Sequence, residues 1–366
     1  MNDAASPVSA TAPRTYRVLG VEGGGMRGIY SAAYLQALLT SYQKTRRCGR
    51  IDLGKAFDLI AGTSTGAIVA SALAANIPMD HVIKLYREAG PKVFPEKVPS
   101  SFFGAVRQMP VRSRINAKGA AALEAALVEA LKGVTIGEIW KERGIALAFP
   151  AVEMSHHRAW VFKTPHLANS KDRDGNFTLV QACMATSAAP VYRSLYRVKN
   201  PDGEGYYTFV DGGLWANNPI LVGLIDALGM TQSGDHIELF CLGTCPPPSG
   251  DQIGPNDVDR GMIAWRFGAD VPVVSISAQQ FAYDHMARML SGFVDRKVSI
   301  VRLPTGEVPP SLQAHLALDE TSSASLDALV SHANTDAHIA LSQAGDAKNI
   351  NGLLIDNLFR TAPEAH

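Results

Sequence analysis

The stretch DLIAGTSTGAIVASALAANIP, Asp58–Pro78, sets a serine between two glycines where an apolar run gives way to an Ala-rich helical pattern. Two readings compete. A tight loop there packs helix on strand, whereas a nucleophile elbow holds the Ser64 hydroxyl out at the top of a sheet. An elbow strains the backbone at the serine, and side chains at Gly62 or Gly66 would clash.

Outward from this knot the chain repeats strand, glycine turn and helix. TYRVLGV precedes the turn EGGGMRG and the helical pattern IYSAAYLQALLTSYQ, and AFDLIAG precedes the serine knot itself. IALAFPAVEM, AWVFKTP, HIELFCLGT and KVSIVRLP read as further strands. AAALEAALVEALKG, ILVGLIDALG and VPVVSISAQQFAYDHMARML read as helices. This alternation predicts an α/β fold with a mainly parallel sheet covered on both faces. KDRDGN and NPDGEG read as hairpin-like Asp-Gly turns, with Asp172 and Asp174 as turn residues rather than calcium ligands. Residues 1–14 read as a disordered leader, 15–345 as one domain with a helical extension from about 250, and 346–366 as a C-terminal tail. Lys92–Asn116 reads as a loop whose Phe102, Phe103 and Val106 pack on the core, cap a pocket or touch lipid.

Lys plus Arg and Asp plus Glu each number 34, so no global charge points to a nucleic acid polymer as partner. With 46% hydrophobic and 19% charged residues, the chain reads as soluble, globular and able to bury a large core. No apolar run approaches the ~20 residues of a membrane-spanning helix. MNDAASPVSATAPR also lacks the basic start and apolar stretch of a signal peptide. These features predict a cytoplasmic protein, with Cys48, Cys183, Cys241 and Cys245 as free thiols and no metal site.

Gly23, Gly25 and Gly28 satisfy G-x-G-x-x-G, so a dinucleotide site is a rival reading of the first turn. The ribose-binding acid of such a site is missing, because Gly62, Thr63 and Ser64 stand at the end of the second strand. Arg27 inside the turn either braces the loop through a salt bridge or meets a phosphate head group. In YYTFVDGGLWANNPI a β-rich run delivers Asp211 into Gly212 and Gly213, a place suited to a cleft at the sheet's carboxyl edge. Asn217-Asn218-Pro219 then reads as a helix cap.

A nucleophilic serine needs a base and donors for its oxyanion. In EMSHHRAW, strand alternation points His156 and His157 to opposite faces; His236 precedes a strand and His285 lies in a helix. None of them stands in a glycine-rich frame suited to a base. If Ser64 is the nucleophile, Asp211 is the best candidate base, in a two-residue dyad. Ser187 in ATSAAP packs near that dyad rather than reacting.

GGGMRG, GTSTG and DGG in this order, with ATSAAPVY before the aspartate and NNP after it, resemble the patatin-like phospholipases. The resemblance runs from about Tyr16 to about Thr244. It implies a three-layer α/β/α fold and a Ser–Asp dyad that hydrolyses acyl esters of lipids. Ser64 is then the nucleophile and Asp211 the general base, and the Gly24 and Gly25 N–H groups form the oxyanion hole. Membrane phospholipids are the implied substrate, met at the inner face of the membrane, and no cofactor is implied. An acyltransferase on the same dyad, or a lipid- or nucleotide-binding protein with an idle site, stays open as an alternative. Two positions depart from the family. Glu22 stands where an aspartate often precedes the glycines, and LGTC carries Cys245 where the family has glycine. Some bacterial members of similar length degrade the cell's own membrane in anti-phage defence when a cyclic dinucleotide binds. The resemblance therefore adds a cyclic dinucleotide as candidate activator, and a homo-oligomer stays open.

Overall fold

The computed structural model describes residues 12–99, 104, 107, 108, 110–168, 170–245, 253–255, 257–262, 264, 265, 268, 270–304 and 308–365. Most of the expected leader, and Phe102, Phe103 and Val106, lie outside these residues.

Among the described residues, eight strands form one sheet: β1 (Thr15–Val21), β2 (Leu59–Gly62), β3 (Ala146–Glu153), β4 (Arg158–Lys163), β5 (Tyr196–Lys199), β6 (Tyr206–Asp211), β7 (His236–Leu242) and β8 (Lys297–Leu303). Their order is β5-β6-β3-β2-β1-β7-β8, with β4 alongside β3. β1 pairs in parallel with β2 and β7, β2 with β3, and β7 with β8. β4, β5 and β6 join antiparallel. Leu59, Ile60 and Ala61 of β2 are wholly buried, which is why that strand reads as an unbroken apolar run.

Nine helices of eight or more residues stand among the described residues: α1 (Gly28–Arg46), α2 (Thr65–Ala74), α3 (Met79–Val93), α4 (Arg112–Leu131), α5 (Leu179–Thr186), α6 (Ile220–Met230), α7 (Asp270–Ser291), α8 (Ser323–Ala344) and α9 (Ile350–Thr361). Two separate apolar clusters flank the sheet. Leu35, Val69, Tyr86, Leu127, Met184 and Leu329 belong to the larger one, drawn from α1 to α5 and α8. Ile220, Leu224 and Ala287, from α6 and α7, belong to the other. The result is the expected three-layer α/β/α fold. Local chemistry marks some boundaries sharply. α5 starts at a capping box, in which Thr178 Oγ1 accepts from the Gln181 N–H and Gln181 Oε1 accepts from the Thr178 N–H.

Five expectations change. The stretch read as a C-terminal tail carries α9, whose Ile355, Leu358 and Phe359 are buried, with the Phe359 ring stacked on Tyr42 at 5.0 Å. The region after 250 is more than a helical extension, because β8 pairs with β7 along its whole length. KDRDGN joins β4 to α5 instead of closing a hairpin, and Asp174 there is buried against Arg173 and the Lys163 N–H. His156 and His157 sit in the turn between β3 and β4 rather than on alternating strand faces, and His156 Nδ1 lies 2.8 Å from Glu153. NPDGEG, in contrast, does close the hairpin of β5 and β6. The loop from Lys92 is shorter than expected, since α3 runs to Val93 and α4 begins at Arg112.

The topology brings two chain ends together. β2 pairs with the first half of β3 through Ala61↔Ala148, and β6 pairs with its second half through Ala151↔Asp211. β4 occupies the other edge of β3, so β2 and β6 approach each other head-on along one edge. Ser64 stands just past the end of β2 and Asp211 at the end of β6. They meet there.

Candidate active site

Ser64 has φ 54° and ψ −127°, a positive φ that costs a residue with a side chain about 1–3 kcal/mol. The surrounding packing enforces it. A Cβ on Gly66 would lie 2.3 Å from the Val21 carbonyl oxygen and 2.5 Å from that of Glu22, so α2 starts against β1 only with glycine there. The Ser64 N–H donates to Thr186 Oγ1 at 2.9 Å, and the Thr186 hydroxyl donates to the Pro150 carbonyl.

The Ser64 hydroxyl donates to Asp211 Oδ2 at 2.8 Å, and the Gly213 N–H donates to Asp211 Oδ1 at 2.6 Å. Gly212 lets that corner form, since its Cβ position lies 2.0 Å from the Pro150 carbonyl oxygen. Asp211 is 5% exposed. Burial raises its pKa to about 6, against the opposing pull of the Gly213 N–H, the Ser64 hydroxyl and Arg193. A carboxylate so tuned can accept a proton from the serine without being locked in its ionised form.

The glycine turn forms the opposite wall. Gly25 has φ 58°, and the Leu318 carbonyl oxygen lies 2.3 Å from where its Cβ would be. The Met26 N–H donates to that same oxygen at 2.8 Å. Within the expected Asn217-Asn218-Pro219 cap, Asn218 Oδ1 accepts from the Ile220 N–H at 3.2 Å where α6 begins, whereas Asn217 does not cap that helix. It clamps Gly23, accepting from its N–H at 3.1 Å and donating from Nδ2 to its carbonyl at 3.2 Å. The Gly24 N–H donates to Thr65 Oγ1 at 3.2 Å, and no acceptor among the described residues meets the Gly25 N–H. Of the two expected oxyanion donors, one is free and the other loosely held.

Arg27 is buried, and its Nε and Nη1 donate to the carbonyls of Gly24 and Cys245 at 3.3 and 3.4 Å. It braces the turn through carbonyls instead of a salt bridge. Gly28 lets α1 begin against the Tyr86 hydroxyl. Glu22 pairs with Arg302 of β8 at 2.5 Å, tying the turn to the far strand. Cys245 adopts φ 56°, so the site where the family has glycine keeps the glycine-like backbone. All four cysteines are free, and burial pushes the Cys183 and Cys245 thiols up to about 12.

The cavity over the dyad is lined by Gly24, Gly25, Ser187, Tyr192, Arg193 and Ile276, among others, and by no histidine among the described residues. Ser187 donates to the Cys183 carbonyl at 2.6 Å and so packs beside the dyad. Thr65, Thr186, Arg193 and Leu318 escaped sequence reading as site residues. Thr186 had a signal in the ATSAAP stretch, whereas Arg193 and Leu318 had none.

The patatin-like phospholipase family model matches residues 19–224. A cGAMP-activated phospholipase of Pseudomonas aeruginosa is 35% identical over 284 residues, 76% of this chain and 76% of the relative. A cGAMP-activated phospholipase of Vibrio cholerae is 28% identical over 330 residues, 86% of this chain and 88% of the relative. Among solved structures, human GIVD cytosolic phospholipase A2 superposes with a TM-score of 0.45 at 11% identity, covering 94% of this chain and 60% of that one. The chain belongs to the patatin-like phospholipase family and is a lipid-hydrolysing enzyme. No helix among its described residues is long and apolar enough to cross a membrane.

Proposed function

We propose that the protein hydrolyses acyl esters of membrane phospholipids with Ser64 as nucleophile and Asp211 as general base. The observation that carries this reading is the 2.8 Å hydrogen bond from Ser64 Oγ to Asp211 Oδ2 at a strained, buried corner. As Oγ attacks the ester carbonyl carbon, its proton passes to Oδ2. The oxyanion forms beside the free Gly25 N–H, and the Gly24 N–H turns to it from Thr65 Oγ1. Collapse expels the lysolipid alkoxide, which takes the proton from Asp211 and leaves an acyl-serine. Water then attacks that ester, gives its proton to Asp211 and releases the fatty acid, and the proton returns to Ser64.

We further propose that a cyclic dinucleotide switches this activity on at the inner face of the membrane in anti-phage defence. Support comes from relatives named cGAMP-activated phospholipases, which this chain matches over most of its length.

The test is fatty-acid release from bacterial phospholipid vesicles, with and without cyclic GMP-AMP, by wild type, Ser64→Ala and Asp211→Asn. Release that rises with the nucleotide and falls on the order of 10⁴-fold or more in both variants is expected. Release that survives Ser64→Ala would falsify the dyad. Equal release with and without nucleotide removes the switch alone, and acyl groups appearing on an added alcohol instead of water make the enzyme a transferase.

A further inference from the structure

One cation in the cleft has nothing to hold. Arg193 is 7% exposed and lines the cavity over the dyad. It also lines the apolar pocket behind, formed by Met26, Ile68, Leu85, Val93 and Leu123. Its Nη1 is buried without a hydrogen-bond partner. The Phe94 ring lies under the guanidinium at 4.9 Å, and Asp211 acts on it only from beyond ion-pairing distance. Arg27, the buried arginine of the glycine turn, differs because main-chain carbonyls occupy it.

The local backbone is built to hold Arg193 there. Val191 has φ 72°, an outlier for a β-branched residue, and its carbonyl accepts from Arg112 Nε at 3.3 Å and Asn116 Nδ2 at 3.1 Å. The Arg193 N–H then donates to the Ala189 carbonyl at 2.8 Å. Two side chains of α4 thus pin a strained turn whose result is a cation facing the cleft. An unpaired buried charge is unfavourable, so a charge kept in this state favours an anion that arrives from outside. Burial lowers its pKa only to about 10, which leaves the guanidinium charged at neutral pH.

We propose that Arg193 is an anion subsite of the cleft, its guanidinium taking an anionic oxygen of the lipid whose acyl ester lies at Ser64. The inference rests on the phospholipase reading above. Two sources share this chemistry: the phosphodiester of the substrate, a few bonds from the scissile ester, and the carboxylate of the released fatty acid.

The test compares wild type, Arg193→Met, which keeps length without charge, and Arg193→Lys, which keeps charge. Fluorophosphonate labelling of Ser64 is run against three competing amphiphiles: a phosphodiester (dodecylphosphocholine), a carboxylate (decanoate) and a neutral monoacylglycerol. Turnover is read on phosphatidylglycerol and on diacylglycerol with the same chains. The phosphodiester and carboxylate competitors are expected to protect Ser64 at about tenfold lower concentration in wild type than in Arg193→Met, with Arg193→Lys between. The neutral competitor is expected to show no such difference. A tenfold fall in the phospholipid-to-diacylglycerol ratio assigns the phosphodiester as occupant. An unchanged ratio with weakened decanoate protection assigns the carboxylate. Equal changes for all three competitors, or none for any, overturn the subsite. Because Arg193→Met removes an unpaired buried charge, its melting temperature should hold or rise; a fall with loss of labelling marks the arginine as a structural prop and also overturns it. Wild type that labels but, with cyclic GMP-AMP present, releases no fatty acid from phosphatidylglycerol sinks the phospholipase reading instead, and the competition data still judge Arg193.

Discussion

The Ser64 elbow and the Gly23–Gly25 turn both follow central parallel strands, yet they are held in place by different parts of the chain. The elbow is fixed by its own surroundings. Gly66 packs on the main chain of Val21 and Glu22, Gly62 on that of Gly66 and Ala67, and Thr186 receives the Ser64 N–H. The glycine turn is fixed from afar, by Asn217 at Gly23, by the Thr244 side chain against Gly24 and by the Leu318 carbonyl against Gly25. Nucleophile geometry therefore follows from packing one helix on the sheet. Donor geometry follows largely from segments that arrive after β6, with the Gly24 N–H also resting on Thr65 Oγ1 beside the elbow.

The largest effect should come from the elbow. Gly66→Ala forces a Cβ into two main-chain carbonyls, neither of which can swing aside as a side-chain end would. We expect a loss of about 3–4 kcal/mol, read as a lower urea midpoint at unchanged slope, with Ser64 labelling lost in parallel. An unchanged midpoint would mean that the elbow yields, and the contrast with the glycine turn fails.

Gly25→Ala should separate the two turns. Its Cβ would lie 2.3 Å from the Leu318 carbonyl oxygen at a residue with φ 58°, so the strain falls on the donor turn rather than on the Ser64 elbow. A loss of on the order of 10²–10³ in kcat, with KM little changed, is expected. A loss confined to KM would place Gly25 in substrate binding and remove it from the oxyanion hole.

How much of this was legible follows the same division. Strand, glycine turn and helix are contiguous in sequence, so β1, β2, Ser64 and both glycine motifs could be read locally. Asp211 could also be read, but its reason could not. It faces the serine because β6 runs antiparallel and meets β2 head-on, a matter of pairing partners that no local pattern encodes. Arg193 and Leu318 carry no motif, since each owes its place to segments distant in the chain. The α9 misreading is different in kind. INGLLIDNLFRT carries helical spacing at Leu354, Ile355, Leu358 and Phe359 behind an Asn349 cap, so that signal was present and simply outweighed by its position at the terminus.

The smallest effect is the sharpest test of independence between the turns, because only one of them titrates. Asp211 must be ionised to accept the serine proton, and burial places its pKa at about 6. Activity should therefore be flat above pH 7 and fall through a midpoint near 6, reaching about a tenfold loss one pH unit lower, as the base takes up its proton from solvent. The Gly24 and Gly25 N–H groups have no charge to gain over that range. Gly25→Ala should then lower the whole kcat/KM profile and leave its midpoint where it was. A midpoint that moves by a unit in Gly25→Ala would show that the glycine turn also sets the burial of Asp211. The two walls of the cleft would then be one electrostatic unit, held together by residues as distant as Leu318.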